Sequence, residues 1–136
     1  LDKREELQKV GDSRPPVSKG SCCWVIPDGY IPPESSGKLA SHESICVLNC
    51  GPNDVRLRMD IYFEDREPLE GIEAVVESRR TRHLRTSQLV KDGESIPAGV
   101  PYAITVESDE PVIVQYSRLD TTQPELALMS VMAHPL

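Results

Sequence analysis

The clearest pattern in the chain is an alternation of apolar and polar residues from Val55 to Phe63, where Val55, Leu57, Met59, Ile61 and Phe63 interleave with Arg56, Arg58, Asp60 and Tyr62. Side chains two apart on a strand share a face, so this period predicts a strand with one face on a core and the other in water. The turn-forming Gly51-Pro52-Asn53-Asp54 precedes it and Ser44–Asn49 reads as another strand, so the two are expected to form a hairpin. Further strands are predicted at Cys22–Ile26, Ile72–Glu77, Thr81–Arg85, Tyr102–Glu107 and Val112–Arg118. Between Pro124 and Ala133, the positions of Leu126, Leu128, Met129 and Met132 suit a helix, whereas Ser130–Ala133 can extend; a strand is the preferred assignment. Seven to eight short strands with turn signals between them predict an all-β, single-domain antiparallel β-sandwich of jelly-roll-like form, with a barrel as the other arrangement. No internal repeat occurs at a fixed period.

Composition narrows this picture. A length of 136 residues allows one hydrophobic core. Twelve prolines and eight glycines favour short strands and turns, because proline breaks helix interiors and central strands. Residues 1–20 differ from the rest: Asp2–Lys9 is charged with helical propensity, and Gly11–Lys19 is polar and contains Pro15 and Pro16. They are expected to form a flexible or partly helical extension, with the compact domain spanning 21–136. No run approaches the ~20 consecutive apolar residues of a membrane span, and Leu1–Val10 lacks a signal-peptide core. A cytoplasmic location is therefore expected.

A net charge of -7 disfavours general binding to polyanions, which depends on clustered cations releasing counterions. The exception is Arg79-Arg80-Thr81-Arg82-His83-Leu84-Arg85, whose alternation on a strand divides the cations between two faces. Pairing with carboxylates such as Glu73 and Glu77 is the simpler reading of these arginines, and a nucleic-acid-binding regulator using the 79–85 segment is the alternative. The four cysteines, Cys22, Cys23, Cys46 and Cys50, lack the paired C-x-x-C spacing of a zinc knuckle and read as reduced thiols. No H-x-H, H-E-x-x-H, G-x-S-x-G or glycine-rich phosphate loop occurs. The chain is thus expected to bind without catalysing a reaction, with no catalytic residues, bound metal or cofactor. A small metal-dependent enzyme built from His42, Glu43, His83 and Asp120 is the alternative.

His42 and Glu43 fall where a polar stretch enters a strand, a position from which a rigid scaffold can present binding groups. Together they donate and accept hydrogen bonds as a polyol or sugar requires, or they satisfy local backbone groups. Arg118 and Asp120 end an apolar strand and either pair with each other across a turn or share a pocket rim with His42, Glu43 and His83. Trp24 and Tyr30 flank Pro27-Asp28-Gly29 and suit a stacking platform, with burial of the single tryptophan as the competing role.

Five local patterns, in order, resemble the family of soluble transducers of microbial sensory rhodopsins, the Anabaena type. They are Cys23-Trp24-Val25-Ile26 running into Gly29-Tyr30-Ile31-Pro32-Pro33; Ser41-His42-Glu43 with Cys46-Val47-Leu48-Asn49; Ile61-Tyr62-Phe63 with Asp65-Arg66 and Pro68; Arg79-Arg80-Thr81 with His83 and Arg85; and Pro111-Val112-Ile113-Val114-Gln115 with Arg118-Leu119-Asp120. The similarity covers Ser21 to Ala133, and residues 1–20 depart from it. The resemblance implies a small β-sandwich that forms a homotetramer and acts as a soluble signalling partner. Its implied partners are a membrane receptor of the rhodopsin type and a small carbohydrate-like ligand. The candidate ligand-binding residues read from the sequence are His42, Glu43, His83, Arg118, Asp120, Trp24 and Tyr30.

Overall fold

A computed structural model of the chain describes residues 19–136. The extension expected for residues 1–20 lies, up to residue 18, outside the described residues. In chain order the strands are β1 (Ser21–Gly29), β2 (His42–Asn49), β3 (Val55–Phe63), β4 (Leu69–Val76), β5 (Arg80–Arg85), β6 (Val90–Lys91), β7 (Glu94–Ser95), β8 (Tyr102–Asp120), β9 (Ala127–Met132) and β10 (His134–Pro135). A 3-10 turn at Thr86–Gln88 follows β5. The residues read as a strand after Pro124 extend as β9. Between β6 and β7, Asp92 and Gly93 both have positive φ, the turn chemistry that closes a two-residue hairpin.

The long strand β8 organises everything else. Its first part runs antiparallel between β1 and β3, and its second part runs antiparallel between β2 and β9. The result is two layers, β10-β1-β8-β3-β4 and β5-β2-β8-β9, which share β8. Residues 102–107 and 112–118, expected as two strands, are therefore one strand that changes sheet. The change falls where the sequence breaks its alternation: from Cys23↔Glu107 to Ser21↔Val112, β8 advances five residues while β1 advances two. Pro111, which has no N–H for a ladder, sits in that offset.

The expected hairpin between β2 and β3 does not form. β2 pairs with β5 and β8, whereas β3 pairs with β4 and β8 in the other layer. The turn residues after Asn49 carry the chain from one layer to the other, across the ~10 Å that separates packed sheets. Asn49 holds this crossing: its buried amide nitrogen donates to the carbonyls of Asn53, Val76 and Glu77, and its oxygen accepts from Gly51 N–H. Alternation then packs the layers together. Ile45 and Val47 from β2, Val55, Leu57, Met59 and Ile61 from β3, and Ile104, Val106, Val112 and Val114 from β8 make one buried cluster. No helix among the described residues is long and apolar enough to cross a membrane.

Candidate functional site

Glu43 shares its side of β2 with Ile45 and Val47, so the strand's alternation directs its carboxylate into the sandwich, where it is 0% exposed. A buried carboxylate must be paired and hydrogen-bonded, because desolvating an isolated charge costs several kcal/mol (~3 or more). The register supplies the partner: Glu43 lies directly across from Arg118 on β8, and Arg118 Nε donates to Glu43 Oε2 at 2.5 Å. The backbone N–H of Tyr30 donates to both carboxylate oxygens, at 3.0 and 3.3 Å. The hydroxyl of Tyr102, at the start of β8, donates to Oε1 and lies 3.0 Å from the buried Thr86 Oγ1. Thr86 in turn donates to the Glu43 carbonyl at 3.3 Å.

Two local features set this geometry. The ladder of β1 and β8 shifts between Ile26↔Ile104 and Gly29↔Tyr102, so a bulge at Pro27-Asp28 brings the end of β1 over the network. At that end, a Cβ on Gly29 would lie 2.4 Å from Tyr102 Cζ, so only glycine leaves room for the ring that reaches Glu43. At the other side, Ser41 and Thr121 clamp β2 to β8: their hydroxyls are 3.1 Å apart, and Thr121 N–H donates to Ser41 Oγ at 2.9 Å.

The network reaches solvent through Arg118, whose side chain is 25% exposed. Its Nε and Nη2 donate to the Tyr116 hydroxyl at 3.3 and 3.2 Å, and its Nη2 stands 4.0 Å from the carboxylate of Asp28, which is 85% exposed. Beside Asp28 and Tyr116 lies a cavity of about 340 Å³, walled by Val25, Ile26 and Pro27 on one side and Met129 and Val131 on the other. Arg118, directly cross-strand from Met129, does not line this cavity but reaches it through Tyr116 and Asp28, which do. A groove of about 360 Å³ between β3, β4 and β8 carries the opposed charges of Arg56, Arg58, Glu73, Glu107 and Asp109 around Ser108, whose buried Oγ has no hydrogen-bond partner among the described residues.

With this geometry in hand, comparison with known proteins is specific. Residues 19–135 match the family described as Anabaena sensory rhodopsin transducer. The chain belongs to that family. Among solved structures, the Thermotoga maritima 1070 protein superposes with a TM-score of 0.77 at 37% identity, covering 86% of this chain and 96% of that one. The Anabaena sensory rhodopsin transducer superposes with a TM-score of 0.68 at 39% identity, covering 80% and 96%. A search of the curated proteins finds no match.

In this member of the transducer family, the residues singled out from the sequence separate into groups. Glu43 and Arg118 meet, and the main chain of Tyr30, a residue 37% exposed, joins them at the same end. His42 and His83 do not join them. His42 alternates with Glu43 and so faces outward, with Nδ1 3.0 Å from the Ala40 carbonyl. His83 pairs with Cys46 on that outer face, about 13 Å further along β2 at ~3.3 Å per residue. The shared rim of His42, Glu43, His83 and Asp120 is therefore absent. Asp120 does not pair with Arg118 either: it accepts from Thr122 N–H and Oγ1 at 2.8 and 2.7 Å, and these bonds, above all the hydroxyl's, hold its pKa below the ordinary aspartate value. Trp24 is buried in the core, with its indole N–H shared by the carbonyls of Val112 and Ser21, and offers no open stacking face.

The arginine run also differs from expectation. Arg79 sits in a left-handed turn at φ 55, and the remaining three arginines lie on β5 at the sheet edge. None of them forms an ion pair with Glu73 or Glu77 among the described residues; Arg82 Nη1 instead donates to the Val75 carbonyl at 2.6 Å. Tyr102 and Thr86 escaped the sequence reading. The available signal was parity: Tyr102 shares the core-facing side of β8 with Ile104 and Val106, and a buried phenol needs a polar partner.

The electrostatics of the site give a testable pH response. Burial, then the carboxylate of Glu43, pushes the pKa values of Tyr102 and Tyr116 above the ordinary tyrosine range. Burial disfavours the charge on Arg118, but Tyr116 and Glu43 outweigh it and raise its pKa. Because the two phenols ionise later in the folded chain than in the unfolded one, the unfolded state loses protons first as pH rises. Folding stability is fully present below pH ~10 and declines above it. Ultraviolet titration should find Tyr102 and Tyr116 still protonated at pH ~11 while the chain stays folded, ionising only as it unfolds. Ionisation of Tyr102 and Tyr116 in the folded chain near pH 10 would contradict the network.

Proposed function

We propose that this transducer-family domain is a non-catalytic signalling module of the cytoplasm, working as a homotetramer and responding to a small polar, carbohydrate-like ligand at the Arg118–Asp28 end of the sandwich. The observation that supports the ligand reading is a guanidinium fixed from behind by buried Glu43 and flanked by the exposed carboxylate of Asp28. Donor and acceptor side by side suit vicinal hydroxyls, and the adjacent cavity presents Pro27, Tyr116, Met129 and Val131 to the apolar face of a ring. Its volume, about 340 Å³, falls at the small end of the ~300–1,000 Å³ range of ligand pockets. A site poised on a buried charge network offers a route to signalling, because any ligand that shifts Arg118 also changes how Glu43 holds Tyr102 and the Tyr30 backbone. A receptor segment of the rhodopsin type is the other input this family membership favours.

Thermal-shift screening against monosaccharides, disaccharides and polyols tests the ligand. At least one compound should raise the melting temperature, and Asp28→Ala should remove that rise with little change in the unliganded protein, since Asp28 is exposed. A flat response across the panel would sink the small-ligand version and leave the receptor-relay version standing.

A further inference from the structure

Strands β4 and β5 follow each other through a tight turn but lie in different layers, and each is an edge: β3 is the only strand partner of β4, and β2 the only one of β5, among the described residues. A groove of about 350 Å³ separates them, with the buried Ile72 and Leu89 in its floor and the exposed Arg82, Arg85 and Gln88 at its rim. Strand geometry leaves main-chain groups open here. Val75 lies across from Arg56, yet its carbonyl accepts from Arg82 Nη1 at 2.6 Å, so it points away from β3 and out of the sheet. In an antiparallel ladder the N–H and C=O of one residue point the same way and those of the next point oppositely, so the N–H of Val75 and both groups of Glu73 also lie along this edge. No strand covers them, and a side chain from the opposite layer occupies one carbonyl.

The cations beside this edge are uncommitted as well. Arg79, Arg80, Arg82 and Arg85 form no ion pair among the described residues, in a chain of net charge -7. Arg80, Arg82 and Leu84 lie across from Asn49, Val47 and Ile45, which are all buried, so their side chains leave β5 on the face turned toward the other layer. Arg80 and Arg82 are two residues apart, about 6.6 Å at ~3.3 Å per residue, which is also the spacing of same-face side chains on any extended peptide.

These two observations select the occupant. A nucleic acid offers phosphates to the arginines but cannot complete a strand edge, whereas an acidic peptide offers both carboxylates and a main chain. We infer that β4 is a docking edge for an extended partner peptide with acidic residues at alternate positions. The peptide main chain pairs with Glu73 and Val75, and its carboxylates take Arg80 and Arg82. The residues between them lie on the outer face beside Glu73 and Val75, where neutral side chains avoid like charge against Glu73. Arg82 then has two positions: on the Val75 carbonyl when the edge is empty, and on a peptide carboxylate when a peptide N–H takes that carbonyl. β5 and β9 are opposite edges of the four-stranded layer, so this surface is separate from the Arg118 end and goes beyond the ligand function proposed above.

Fluorescence anisotropy tests it on the full chain with a labelled octapeptide alternating Glu and Thr. The comparison probes are the same composition with its Glu residues grouped, the alternating peptide with every amide N-methylated, and a single-stranded oligonucleotide of similar charge. The alternating peptide should bind more tightly than the other three, and Arg80→Ser/Arg82→Ser, at two exposed positions, should weaken it by about tenfold. Hydrogen exchange on the wild-type chain gives a second reading that needs no variant: the Glu73 and Val75 amides should exchange more slowly once the peptide is bound. An alternating peptide that does not bind, that binds no better than its grouped or N-methylated forms, or that leaves these two amides unprotected would overturn the edge pairing. An oligonucleotide that binds more tightly than the peptide, and loses that binding in the arginine variant, would overturn the choice of a peptide as the occupant.

Discussion

Glu43→Ala should lower the folding stability of this domain by about 3–5 kcal/mol. The substitution removes a fully buried carboxylate that accepts from Arg118, Tyr102 and the Tyr30 main chain. What remains is a guanidinium only a quarter exposed that keeps the Tyr116 hydroxyl, a buried phenol that keeps Thr86, and a Tyr30 N–H with no acceptor. Each unsatisfied buried group costs ~1–3 kcal/mol, and partial rehydration of Arg118 keeps the total from growing further. Urea unfolding at neutral pH measures this effect. Arg118→Ala should be similarly costly, and the Glu43→Ala/Arg118→Ala double variant should lose less than the sum of the two. A Glu43→Ala cost below ~1 kcal/mol would mean that the buried pair is not a structural element of the fold.

Gly29→Ala should destabilise the chain by about 2–3 kcal/mol, whereas glycine to alanine on an exposed strand is neutral or stabilising. The added methyl would fall 2.4 to 2.7 Å from three atoms of the Tyr102 ring, which is itself buried and cannot swing aside freely. Relief requires either a shift of the β1 bulge, which carries Asp28, or rotation of Tyr102 away from Glu43. Both disturb the site as well as the fold. Shortening the ring should undo part of the damage, so Gly29→Ala combined with Tyr102→Leu is expected to be more stable than the two single costs added together predict, again by urea unfolding. Strict additivity would place the strain elsewhere.

The fold was largely legible because most strands alternate cleanly. Val55–Phe63 reads in the sequence as it lies in the structure, and the family resemblance, carried by short motifs in order, holds over residues 19–135. What periodicity left open was which strand pairs with which. Alternation marks a core face but not a neighbour, so β2 and β3 looked like a hairpin although Asn49 carries the chain between layers. For the same reason Tyr102–Glu107 and Val112–Arg118 read as two strands, whereas β8 passes from one sheet into the other without turning back.

The candidate site was legible in pieces. Glu43 and Arg118 were both singled out, yet their meeting depends on register between strands 75 residues apart. Parity separates Glu43 from its neighbour His42: adjacent residues on a strand face opposite sides, so a site that used both side chains on one surface was excluded once β2 began at His42. Tyr102 and Thr86 enter only through tertiary packing, and Asp28 only through a bulge that no local pattern announces.

Where a ligand lands on the sandwich is the decisive observation for the Arg118 site. Backbone amide NMR spectra recorded while monosaccharides and polyols are added one at a time should show, for any compound that stabilises the protein, shifts concentrated at Asp28, Tyr116, Arg118, Met129 and Val131. Shifts confined to the outer face around His42 and His83 or to the arginines of β5, with the Arg118 end unmoved, would contradict it.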